Sequence, residues 1–236
     1  MDANDERIGY VARNTVILRP PKISLSTFGT TNVYYYLITE PSYTDLVPNT
    51  GVAETVIREG RVISQQPKIV TPYYMSKLDG FSADARKYFE ALIRVHGPDT
   101  PGLFYAYKNE PNGMNIVADN WQSIATKLNE DIDRRGDPLA SIIKGEDDLW
   151  DVSLLKFIYE ITRRSMNDNI SQLNAKGLLN MDPSGVPVDA RLRIEELFSQ
   201  TATGEIDPRE LKNELDRWNV FDEYEDRFFA LFKKIK

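Results

Sequence analysis

The sequence predicts an α+β protein: an N-terminal, mainly antiparallel β region, a helical region holding one small hairpin, and a helical C-terminal tail. Three observations carry this. From Thr15 to about Ser76, β-branched and aromatic runs alternate with Gly, Pro and Asn, the composition of short strands joined by turns. Past Gly80 the apolar residues recur at three- and four-residue steps, the period of helices with one buried face. The longest such segment, Glu146 to Asp182, places Trp150, Leu154, Leu155, Phe157, Ile158, Ile161, Met166, Ile170 and Leu173 at three- and four-residue steps, and a helix over 149–176 is expected to organise the core. The expected divisions are a β-rich region 1–78, a helical region 79–181 and a tail 182–236.

TVILR ends at Pro20-Pro21, which cannot continue a ladder. NVYYYLITE follows a turn at Gly29-Thr30-Thr31 and reads as a strand. Glu40 to Gly51, with two prolines and a glycine, reads as a long loop. Val56-Ile57 and Val62-Ile63 flank Glu59-Gly60, which predicts a hairpin turning at Gly60. Lys68 to Thr71 fits one more short strand. Ser82 is a good N-cap for a helix ending near His96-Gly97-Pro98. Leu103 to Lys108 and Met114 to Val117, on either side of a turn at Asn109 to Gly113, suggest the small hairpin. Asp119 or Asn120 caps a helix with the stripe Trp121, Ile124, Leu128 and Ile132, ending at Gly136. Asp137-Pro138 opens an expected short helix to Ile143. The long helix follows, with Gly177-Leu178 as its C-cap. In the tail, Asp207, Pro208 and Glu210 form a capped helix start in which the two acidic side chains can satisfy backbone N–H groups reciprocally.

With 236 residues, 41% of them hydrophobic, the chain can build real cores without a staple. It has no cysteine, which excludes disulfides, thiolate metal sites and cysteine nucleophiles. Its one histidine rules out multi-histidine metal sites within one chain. A net charge of -7 argues against a non-specific grip on nucleic acid or anionic lipid. The polar, acidic N-terminus is unlike a signal peptide, and no apolar run approaches the ~20 residues of a membrane span. The expected location is the cytoplasm, without membrane contact. No phosphate-binding glycine loop, HExxH, GxSxG or kinase signature is present.

Several constellations carry chemistry. Asp147, Asp148 and Asp151, after Glu146, have DDxxD spacing and resemble the aspartate-rich motif of isoprenoid synthases, which implies Mg²⁺ on a diphosphate. The same acidic residues also suit the positive end of a helix. Ser199 to Glu210 resembles an EF-hand loop, with Gly204, Ile206 and Glu210 at the sixth, eighth and twelfth places, but Ser199, Thr201 and Thr203 bring no carboxylate to the first, third and fifth. Asn169 to Leu197 resembles the run from recognition helix to wing of winged-helix domains, with Arg163, Arg164 and Lys176 as phosphate contacts. Asp168, Asp182, Asp189, Glu195 and Glu196 offset these cations. His96 ends a helix, where it can meet free carbonyls; Asp99 and Glu110 are the nearest acids if that loop lines a cleft. Tyr34 and Tyr36 offer aromatic faces, and Arg58 and Arg61 flank Gly60 as anion contacts. Trp218, Phe221, Tyr224, Phe228 and Phe232 give the tail an aromatic face.

The expected function is a non-enzymatic protein–protein interaction or assembly subunit, needing no cofactor. It would bind a protein partner or a second copy of itself through Trp218, Phe221, Tyr224, Phe228 and Phe232 or through Tyr34 and Tyr36. One alternative is a nucleic-acid-binding regulator built on 169–197; the other is a Mg²⁺-dependent enzyme using the carboxylates of 146–151.

Overall fold

β-branched and aromatic residues between Val16 and Lys144 assemble one five-stranded sheet in the computed structural model, which describes residues 3–45, 53–77, 93–95, 97, 98 and 100–233. The elements in order are α1 (Ala3–Asn14), β1 (Val16–Arg19), β2 (Thr31–Thr39), a 3₁₀ turn (Ser42–Asp45), β3 (Thr55–Ser64), β4 (Lys68–Val70), α2 (Pro72–Ser76), β5 (Gly102–Phe104) and β6 (Tyr107–Val117). They continue with α3 (Trp121–Arg135), β7 (Ala140–Lys144), α4 (Trp150–Ala175), α5 (Val188–Thr203), α6 (Pro208–Trp218) and α7 (Phe221–Lys233). The class is α+β. Two compact units interleave along the chain: 1–66 with 105–169, and 67–104 with 170–236.

The first unit holds the sheet, in the order β1-β7-β2-β3-β6. All pairs are antiparallel except β2 with β7, which is parallel, so the sheet is mixed. Strand alternation splits β2 between two cores. Val33, Tyr35 and Leu37 join Val62, Ile143 and the Leu154, Phe157 and Ile161 stripe of α4. Ile38 joins Ile57, Ile142 and the Ile124 and Ile132 stripe of α3, with Tyr36 packed at its margin. Helix therefore covers both faces. The segment at 24–27 is tied to α4 through buried polar groups: Asn169 donates Nδ2 to Leu25 O at 2.9 Å and to Thr27 Oγ1 at 2.7 Å, and Leu25 N donates to Ser165 Oγ at 2.9 Å.

In the second unit, β4 pairs antiparallel with β5. Its core joins Val70 and Tyr74 to Ile194, Phe198, Leu211, Leu215, Trp218 and Phe228 from α5, α6 and α7.

The caps of three helices stand, the one at Asp207 without a reciprocal bond from Glu210 among the described residues. Asn120 Oδ1 accepts from Ser123 N at 2.8 Å to start α3, and Gly136 ends it at φ 67°. At the end of α4, Gly177 takes φ 67° and Leu178 N donates to Leu173 O at 3.0 Å. Asp207 caps α6 by accepting from Arg209 N at 2.8 Å.

Four expectations are corrected. Gly60 is no turn: β3 runs unbroken from Thr55 to Ser64, and Tyr35 stands opposite Gly60. The hairpin near 103–117 is replaced by two strands with different partners, β5 on β4 and β6 on β3. Pro138 to Ile143 is mostly strand β7, because Ala140, Ile142 and Ile143 are buried between α3 and α4 contacts on the two sheet faces. The N-terminal residues, given no element from sequence, form α1, whose Val11 is buried. The expected helix from Ser82, with His96 and Asp99, lies outside the described residues except for its end, where 93–95 are helical and Gly97 N donates to Ile93 O at 2.9 Å.

Candidate tyrosine–arginine cleft

Alternation along β2 and β3 decides which of the candidate side chains meet. Tyr34 stands opposite Arg61 and Tyr36 opposite Glu59, while Arg61 also faces Glu110 on β6. All of these point to the face that α3 covers, and Arg135 arrives there from the last turn of α3. Together with Pro111 and Asn112 they line an open cleft of about 510 Å³.

Its charges are held in place by one another. Arg61 donates Nε to Glu110 Oε2 at 2.8 Å, with Nη2 at 2.7 Å from the same oxygen. Lys108 Nζ lies 2.7 Å from Glu110 Oε1. Hydrogen bonds from Lys108 and Arg61 hold the Glu110 carboxyl below the usual range, and the bond to Glu110 raises Arg61. Arg135 donates Nη2 to Tyr36 Oη at 2.9 Å, sits 5.9 Å from that ring's centre, and places Nε 3.0 Å from Asp131 Oδ2. A guanidinium has five N–H donors, and these contacts use only part of either set. Tyr34 is 43% exposed. The cleft thus offers an aromatic face, two guanidiniums and carboxylates. Such a set can hold a carboxylate or carbonyl oxygen beside an aromatic ring.

Tyr34, Tyr36 and Arg61 of the sequence candidates meet here. Arg58 does not. It lies on the opposite face, opposite Leu37, where its Nη1 is 2.8 Å from Asp147 Oδ1 and donates to Thr39 Oγ1 at 2.9 Å, and its guanidinium is 5.5 Å from the Trp150 ring. Expecting Arg58 and Arg61 side by side rested on a turn at Gly60 that does not form.

Of the DDxxD residues, Asp147 and Asp148 line one pocket and Asp151 does not, and each has its own partner. Asp147 accepts from Thr39 Oγ1 at 2.7 Å and from Ser42 N at 3.2 Å as well as facing Arg58. Asp148 lies 4.0 Å from Arg7, and Asp151 accepts from Val152 N at 3.0 Å in the first turn of α4. Among the described residues no group of three or more His, Cys, Asp or Glu is placed to hold a metal ion. The EF-like loop is also absent: Ser199, Thr201 and Thr203 lie within α5, where the Thr201 hydroxyl donates to Leu197 O at 2.7 Å and Thr203 to Gln200 O at 3.0 Å.

Of the three cations expected to contact phosphate, Arg163 is held in an ion pair, as are Arg191 and Arg193 farther along the same segment. Arg163 pairs with Glu160 at 2.9 Å, Arg191 with Asp182 at 2.7 Å and Glu223 at 2.8 Å, and Arg193 with Asp189 at 3.6 Å. Arg164 lines a small groove with Lys22, and Lys176 follows the end of α4. Between α4 and α5 there is a single bridge, Met181 with Pro187, in place of a two-stranded wing.

The tail's aromatic face is mostly interior. Trp218 and Phe228 are buried, with Phe221 and Tyr224 packed against them, because α5, α6 and α7 need these rings to close their own core. Phe232 remains 45% exposed.

Sequence reasoning missed Arg135, which reads as an ordinary cation in the last turn of a helix, and Asn112, which reads as a turn residue. No protein-family model, curated protein or solved structure matches this chain.

Proposed function

We propose that this chain is a non-enzymatic interaction subunit that grips a partner protein through the tyrosine–arginine cleft. The carrying observation is the convergence of exposed Tyr34 and Arg135 with half-buried Tyr36 and Arg61 on one concavity of about 510 Å³. Tyrosine and arginine are the residues enriched where a few side chains carry most of an interface's energy, since they pair large flat apolar area with directional donors. The spare guanidinium donors fit a partner's carboxylate or carbonyl oxygens, and the tyrosine face fits the apolar part of the same segment. Nucleic acid is a poorer fit, given the net charge of -7 and the internal pairing of Arg163, Arg191 and Arg193.

The test is capture of partners by the tagged full chain from its own nuclease-treated cell extract, comparing wild type with Tyr34→Ala and Arg135→Ala after circular dichroism has shown all three folded. A stoichiometric protein retained by wild type and weakened by roughly tenfold or more in both variants is the expected result, the loss typical of central interface residues. Equal retention by all three, or none by wild type, would remove the cleft from consideration.

A further inference from the structure

We propose that Gly113–Val117 of β6 is a self-pairing edge, through which a second copy of this chain joins in antiparallel fashion across a two-fold axis at Asn115. The inference is independent of the cleft reading. β6 ends the sheet, and among the described residues no strand pairs with its outer side. An open edge is a template for another strand unless it is guarded by proline, charge or a bulge.

β6 is guarded over one half only. Lys108 and Glu110 carry charge, Pro111 has no N–H to give, and Asn112 is an extra residue that breaks the ladder between Glu59 opposite Gly113 and Gly60 opposite Pro111. Beyond it, Gly113-Met114-Asn115-Ile116-Val117 has neither charge nor proline. Met114 and Ile116 are 59% and 53% exposed and share one face, opposite Arg58 and Val56.

Symmetry chooses the occupant. Antiparallel edge pairing is compatible with a closed two-fold contact, and this pentapeptide lies fully upon its own copy when Asn115 sits on the axis. Met114 then meets Ile116 of the partner subunit, the reciprocal pair forms beside it, and Gly113 meets Val117 of the partner subunit. Each apolar pair is a stabilising cross-strand contact. Pro111 would stand opposite a residue beyond the end of the partner strand, so the guards stay outside the ladder. Two chains of charge -7 repel, and an uncharged contact segment is where they can meet with least opposition.

A five-residue ladder is small, so association is concentration-dependent, and sedimentation velocity from about 1 µM to about 1 mM spans the range of small interfaces. The full chain should move from monomer toward dimer, and Ile116→Lys should stay monomeric with an unchanged circular dichroism spectrum. Because the chain lacks cysteine, Asn115→Cys supplies the only thiol. Directly opposed Cβ atoms lie roughly 4.5–5.5 Å apart, within reach of a short thiol–thiol cross-linker, which should join Asn115→Cys about tenfold faster than Lys108→Cys through the raised local concentration. A wild type that remains monomeric to the top of the range, a dimer that survives Ile116→Lys, or equal cross-linking of the two cysteine variants would overturn the proposal.

Discussion

The phenol of Tyr35 lies over Gly60 so closely that a Cβ on the glycine would sit 2.5 Å from the hydroxyl oxygen and 2.8 Å from Glu110 O. Gly60 is not among the residues with positive φ. Glycine is needed there for space, where the strand passes under a tyrosine whose hydroxyl donates to Asn109 Oδ1 at 3.0 Å. Gly60→Ala should therefore destabilise the protein by about 1–3 kcal/mol, as overpacking does. Urea unfolding measures it, and an unchanged midpoint would show that the sheet yields at no cost.

Arg58, Thr39 and Asp147 form a second largely buried relationship, with both ion-pair side chains 15% exposed. Burial works to raise the Asp147 carboxyl, but hydrogen bonds from Thr39, Arg58 and Ser42 N outweigh it, and the net direction is below 3.8. A lowered folded pKa contributes stability that is present above the unfolded value and lost as pH falls through the folded one. Asp147→Asn should cost about 1–3 kcal/mol at pH 7, and the gap to wild type should narrow below about pH 4. Thermal melts of both proteins across that range give the answer; a constant gap would deny the coupling.

The same arrangement bears on magnesium. With Asp147 paired to Arg58, Asp148 beside Arg7, and no metal-holding acidic group among the described residues, millimolar Mg²⁺ should leave the melting temperature unchanged, since a ligand stabilises only what it binds. A clear upward shift would revive the carboxylate site.

Tyr74 donates to Glu214 Oε2 at 2.9 Å, both residues being buried. Burial first, and then the Glu214 charge and hydrogen bond, push the Tyr74 hydroxyl up to about 12 from 10.0. A raised folded pKa gives stability that is full below the unfolded value and is lost as pH rises through the folded one. Stability should fall between about pH 10 and about pH 12, and less steeply in Tyr74→Phe. Absorbance titration of wild type should show that tyrosine ionising late.

Trp218 and Phe232 divide the tail's aromatic residues into core and surface. Trp218→Ala should cost about 3–5 kcal/mol as a buried large-to-small change, and Phe232→Ala less than about 0.5 kcal/mol. Chemical denaturation of the two variants separates them; similar losses would contradict the burial difference.

What could be read without the structure was local. The long helix, its Gly177 stop, the Asn120 and Asp207 caps and the α+β class all rest on hydrogen bonds or periodicity within a few residues, and such features depend little on what packs around them. Tyr34, Tyr36 and Arg61 were legible as candidates because a run of tyrosines, and arginines flanking a glycine, stand out in the composition of strand-like segments.

What tertiary structure decided was every choice between two local solutions with the same signature. Asp137 Oδ1 accepts from Leu139 N at 2.9 Å, a bond that serves a turn before β7 as well as a helix start; the parallel place beside β2, buried on both faces, selected the strand. Gly60 reads as a turn until Tyr35 lies over it, and the tail's aromatic stripe reads as a surface until α5, α6 and α7 close upon it. The sequence by itself determined the long helix, the caps at Asn120, Gly177 and Asp207, and that the chain could build cores. Only the fold determined which faces are buried, which arginine remains beside the tyrosines and which strand is left at the edge, because these depend on contacts between residues far apart in the chain.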